Sequence, residues 1–142
     1  MPVERIQPQG LPKPPTYAHV VKAGPSTGPS RASGHSSGQA TIYIAGQVSQ
    51  DERGQVVGRG DFSAQATQVF ENLKKALASA GADFTDLVKI TVYLTDARYR
   101  ESLGEVRARY LQGALPASTL VVVAGLAQPD YLLEIEGIAV VG

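Results

Sequence analysis

The apolar positions along the chain change period several times, and each change marks an element. Thr41-Ile42-Tyr43-Ile44-Ala45-Gly46 is rich in β-branched and aromatic residues and reads as a strand. Gly46 ends it and lets the backbone come close to a neighbour. Ala66, Val69, Phe70, Leu73, Leu77 and Ala80 then recur at helical spacing, with Lys74 and Lys75 off that stripe. Asp61 or Ser63 can cap this helix, and Gly81 is its natural stop. Leu87 to Leu94 alternates cleanly. Val88, Ile90, Val92 and Leu94 are expected on one face, Lys89, Thr91 and Tyr93 on the other. Tyr99, Leu103, Val106 and Tyr110 lie one turn apart and predict a second helix that Gly113 and Pro116 end. Thr119 to Val123 and Tyr131 to Val141 read as closing strands, joined through Gly125 and Pro129-Asp130.

Ahead of these elements the chain is less regular. Residues 1–16 hold several prolines and read as an extended arm. Tyr17 to Lys22 is a short strand candidate. Residues 23–39 are Gly-, Ser- and Pro-rich and predict a long mobile hairpin loop, because such a composition buries too little to order itself. Arg31 and His35 lie in it, so it could close over a cleft as a lid. The order β-β-α-β-α-β-β predicts a single α+β domain over residues 1–142, a mixed sheet with two helices packed on one face.

Composition narrows the function. Lys+Arg and Asp+Glu are both 13, so the formal net charge is zero. No broad positive field exists to hold nucleic acid or an anionic membrane. With no cysteine, thiolate nucleophiles, disulfides and cysteine-ligated zinc are excluded. Two histidines, His19 and His35, show no metal-ligand spacing. The first residues lack the apolar run of a signal peptide and no stretch has the length of a membrane helix, so a cytoplasmic protein is expected.

The chemistry concentrates near the C-terminus. Glu134 and Glu136 alternate with Leu133 and Ile135, so both carboxylates share a strand face, about 7 Å apart. The apolar face, with Ala139 and Val141, is expected to pack on the helices. The acid face then meets a cleft or a neighbouring subunit. Glu134 could hold or deprotonate a water if partial burial raises its pKa. Alternatively both acids pair with amides or cations across an interface.

Several segments in order resemble the Rid superfamily, also called YjgF or the L-PSP endoribonuclease family. They are Pro15-Thr16-Tyr17, Ile44-Ala45-Gly46-Gln47-Val48, Ala64-Gln65-Ala66, Asn72-Leu73, Asp86-Leu87-Val88-Lys89, Leu115-Pro116-Ala117-Ser118 and Glu134-Ile135-Glu136-Gly137-Ile138-Ala139. The resemblance implies a chorismate-mutase-like (YjgF-like) subunit and a ring-shaped homotrimer with small-molecule clefts between subunits. It implies hydrolysis of imines or enamines to a keto acid and ammonia, with no metal or organic cofactor. Carried over position by position, Tyr17 and Gly46 would line the cleft and Glu134 would stand near the attacking water. The position of the family's carboxylate-clamping Arg holds Ser118, followed by Thr119, and Gly104 stands where the deaminase subgroup tends to carry Asn.

That serine changes the expected affinity. Truncating one partner of a buried Arg–carboxylate contact costs about 2–5 kcal/mol, whereas a neutral hydroxyl returns about 1 kcal/mol. Two functions follow. One is a homotrimer that binds a small metabolite without robust 2-aminoacrylate deamination. The other is an imine or enamine deaminase in which Glu134 positions water and Ser118, Thr119 and backbone amides orient the substrate. A ribonuclease reading finds no basic stripe and no aromatic stacking platform.

Overall fold

The computed structural model describes residues 2–25 and 38–142. Six strands form one sheet: β1 (Val3–Ile6), β2 (Val20–Ala23), β3 (Ala40–Gln47), β4 (Leu87–Leu94), β5 (Ala117–Val122) and β6 (Leu133–Val141). Their order across the sheet is β1-β2-β3-β6-β4-β5. Only β4 and β5 run parallel, as a connection through a helix requires. That helix is α2 (Arg100–Leu111), and the longer α1 (Phe62–Ser79) lies between β3 and β4 in the chain. The result is the expected α+β arrangement of a mixed sheet and two helices.

Asp61 caps α1, its carboxylate accepting from the Ala64 amide, and Ala80 closes it before Gly81 turns at φ +76°. The apolar stripe of α1 is buried: Ala66, Val69, Phe70, Leu73, Ala76 and Leu77 are all inaccessible. They meet Ile42 and Ile44 of β3, Ile90, Val92 and Leu94 of β4, and Leu133, Ile135 and Ala139 of β6. Phe70 stacks on Tyr110 of α2 at 5.1 Å between centroids, which contributes about 0.5–1.5 kcal/mol beyond burial. No described helix is long and apolar enough to cross a membrane.

Three expectations are corrected. Segment 1–16, expected as an extended arm, carries a strand that the expected element order leaves out: Val3–Ile6 pairs antiparallel with β2. The strand expected from Tyr17 starts only at Val20, leaving Tyr17 ahead of it. Val88 does not share the buried face of β4. The pairing with β6 shifts between Leu87 and Lys89, so Leu87 turns inward and Val88 is exposed. The loop reading of 23–39, with its lid residues Arg31 and His35, falls mostly outside the described residues.

Candidate functional site

Antiparallel pairing and alternation set the site. On β6, Leu133 and Ile135 point to the helices, so Glu134 and Glu136 point to the opposite, uncovered face. Tyr93 of β4 stands opposite Glu134, and Thr91 opposite Glu136. The Tyr93 hydroxyl donates diagonally to Glu136 Oε1 at 2.5 Å. That bond to a carboxylate is the main reason the Tyr93 pKa is raised.

On the other flank of Glu134, β3 carries a bulge. Ile44 pairs with Gly137 and Gln47 with Ile135, so one extra β3 residue is accommodated between them. Gly46 sits there, and a Cβ built on it would lie 2.7 Å from Glu134 Oε1. The glycine is needed for the side chain that approaches it. Among the described residues no hydrogen-bond donor serves the Glu134 carboxyl. Burial therefore raises its pKa, and the charge of Glu136 adds to the rise.

Tyr17 and Tyr131 complete this group. Tyr131 is buried, its hydroxyl donates to Gln50 Oε1 at 3.4 Å, and its own pKa is raised by burial and then by the proximity of Tyr17 and Glu134. Tyr17 is 56% exposed and meets His19 edge-on at 5.7 Å. His19 is a structural residue: 1% exposed, it donates from Nε2 to the Pro12 carbonyl at 2.7 Å and accepts at Nδ1 from Gln47. Tyr17 thus follows a segment fastened to the sheet.

Two buried amides hold the loops around this group. Gln65 of α1 donates to the carbonyls of Gly58 and Asp130 and accepts from the Leu132 amide, which fixes the entry to β6. Asn72, two turns further along the same buried face of α1, donates to the carbonyls of Val48 and Gln50 at 3.0 and 2.9 Å. Every one of these groups is paired, as burial demands.

Ser118 and Thr119 fall elsewhere. Thr119 is opposite Thr91 on the uncovered face, and its hydroxyl accepts from Lys89 Nζ at 2.6 Å. Two strand spacings, about 10 Å, separate its backbone from that of Glu136. Ser118 pairs with Ile90, a core residue, and so points to the helix side. There Arg107 Nη1 of α2 donates to Ser118 Oγ at 3.2 Å. Within one copy, Ser118 and Glu134 stand on opposite faces of the sheet. Of the sequence candidates, Gly46 and Glu134 meet, Tyr17 stands near them only through Tyr131, Thr119 shares the face of Glu134, and Ser118 does not.

Tyr93, Tyr131, Gln65 and Arg107 were not singled out from the sequence as site residues. Arg107 could have been found, one helical turn beyond Gly104 and two beyond Arg100. Tyr131 gives no local signal, because only the tertiary fold carries it to Glu134. Among the described residues no group of three or more His, Asp or Glu side chains is placed to hold a metal ion.

The uncovered acid face, the Gly46 bulge and the tyrosine pair can be set beside known proteins. The family described as Endoribonuclease L-PSP matches residues 32–141. The chain belongs to the Rid (YjgF, L-PSP) family. This Rid chain is 39% identical over 102 residues to a 2-iminobutanoate/2-iminopropanoate deaminase of Rattus norvegicus, covering 72% of this chain and 74% of that protein. Among solved structures it resembles RidA of an Antarctic Psychrobacter, with a TM-score of 0.80 and 35% identity over 97% of this chain and 99% of the other. It also resembles E. coli TdcF with bound serine, with a TM-score of 0.78 and 26% identity over 98% and 99%.

Proposed function

We propose that this Rid chain assembles as a homotrimer of chorismate-mutase-like subunits and binds a small metabolite in clefts between neighbouring copies, in the cytoplasm. One observation carries the reading. The tyrosine–Glu134 group and Ser118 lie on opposite faces of one sheet, so they can line a single cleft only if two copies contribute. The uncovered face also carries Tyr43, 49% exposed, and Val121, which a second copy would bury. The bound serine of TdcF and the substrate in the rat deaminase name support a small amino-acid-derived ligand. Ser118 supplies one neutral hydroxyl where the family pattern carries a cation. We therefore read the chain as a binder rather than a robust 2-aminoacrylate deaminase, without nucleic acid, membrane or cofactor.

A second reading, imine hydrolysis, is favoured by the raised pKa of Glu134. There the carboxylate takes a proton from water as the water oxygen bonds to the imine carbon and the C=N π pair moves to nitrogen; the carboxyl returns that proton to the nitrogen, and the carbinolamine expels ammonia as its hydroxyl proton passes to the leaving nitrogen and the C=O of the keto acid forms.

Two measurements test these readings. Light scattering should give three times the subunit mass, and Tyr43→Asp should lower it; a stable lone wild-type subunit overturns the cleft. Turnover of freshly generated 2-aminoacrylate should stay near the spontaneous rate. Strong turnover that Glu134→Ala removes would replace the first reading by the second.

A further inference from the structure

On the helix side of β5, a pocket of about 730 Å³ is lined by Arg100, Glu101, Arg107, Ser118 and Leu120. Neither guanidinium has an ion-pair partner among the described residues, where the salt bridges are Arg59–Asp130 and Arg98–Asp96. Arg107 spends one donor on the Ser118 hydroxyl at 3.2 Å. A guanidinium carries five donors, so its fork still has edges to offer. The serine contact aims that fork from α2 toward the start of β5.

The helix itself is shaped for an occupant. Gly104 lies on the same stripe, between Arg100 and Arg107. A glycine inside a helix costs about 1 kcal/mol relative to alanine. Packing does not demand this one, since a Cβ there would meet nothing within 4 Å. Its absence keeps the space beside Arg107 open. Pocket charge selects the ligand class. Two guanidiniums against the single carboxylate of Glu101 leave one net positive charge. That suits a singly charged acid and is too little for a nucleotide or another polyanion. Among the described residues Leu120 offers the one apolar wall, enough for a short chain.

We propose that Arg107, oriented by Ser118, is the carboxylate-binding residue of this protein, and that the pocket takes short-chain monocarboxylates. The proposal deepens the reading above and rests on it in treating this pocket as one wall of the inter-subunit cleft. Arg107 is a binding residue for the carboxylate end of the ligand. Because it reaches from a helix rather than from β5, it can retain an acid without presenting it to Glu134 for reaction.

The test is calorimetric titration of the intact protein with 2-oxobutanoate, with 2-oxobutanamide and with inorganic pyrophosphate. Wild type should bind the acid at least tenfold more tightly than the amide or pyrophosphate, about the worth of a charge-assisted hydrogen bond. Arg107→Met should lose that preference, and adding Ser118→Arg to the same chain should restore it. Arg107→Lys keeps the stem and the charge but loses the fork, so a partial loss is expected even if the methionine variant folds poorly. An acid preference unchanged in Arg107→Met and Arg107→Lys overturns the proposal and leaves the metabolite reading standing. Tighter binding of pyrophosphate than of the acid overturns the monocarboxylate assignment. A wild type that binds neither the acid nor the amide overturns both the proposal and the metabolite reading.

Discussion

Gly46 makes room for Glu134: a Cβ on the glycine would lie 2.7 Å from Oε1 and 2.8 Å from Cδ of the carboxyl. The bulge in β3 brings its backbone that close. The carboxyl is therefore walled on one side by main chain and on the other by Tyr93. Its burial, and hence its raised pKa, follows from that enclosure.

Gly46→Ala should move the Glu134 side chain more than it unfolds the protein. The atoms in the way belong to a flexible side chain, so the loss of stability should be about 1–1.5 kcal/mol or less by urea denaturation. Carboxyl NMR titration should find Glu134 shifted back toward the ordinary glutamate range. An unmoved titration together with a loss above about 3 kcal/mol would place the strain in the backbone instead.

Glu134 sets a pH dependence whose sign is fixed. Its folded pKa lies above the ordinary 4.5. Through the window above that value the folded state holds more protons than the unfolded state, so stability falls as pH rises. Glu134→Gln should remove this slope and raise Tm at pH 7 relative to wild type, with little difference at pH 4. Thermal melts across this range check it, and a wild-type Tm that climbs with pH in a manner that Glu134→Gln abolishes would refute it.

Asn72→Leu should cost about 1–3 kcal/mol, because it takes the side-chain donor from the carbonyls of Val48 and Gln50, of which Val48 keeps only the Gln50 amide. The same change frees the segment bearing Gln50, the partner of Tyr131. Hydrogen exchange should rise first between residues 48 and 57, ahead of α1. Uniform loss of protection would argue that the amide serves only the core.

Gly104→Ala should stabilise the fold by about 0.5–1 kcal/mol, since the helix gains propensity and the new methyl meets nothing. Chemical denaturation measures this directly. A destabilised variant would mean that another group already occupies the space.

Much of the fold was legible because period reports burial. The α1 stripe from Ala66 to Ala80 and the alternation of Leu133, Ile135 and Ala139 each name their buried face in a few residues, and each packs as read. Where the ladder slips, the reading failed. Val88 has the composition of a core residue, and only a bulge paired to β6 turns it out. Val3–Ile6 looks like part of a proline-rich arm until β2 offers it hydrogen bonds.

The site divides in the same way. Local spacing was enough to put Glu134 and Glu136 on one face and to mark Gly46 as a place of close approach, because those are properties of neighbouring residues. That Gly46 meets Glu134, that Tyr131 stands near Tyr17, and that Ser118 turns to Arg107 instead of Glu134 were settled only by the folded chain. Strand order and register join residues 88 positions apart in one case and 11 in another, and no periodicity within a segment encodes which segments will lie side by side.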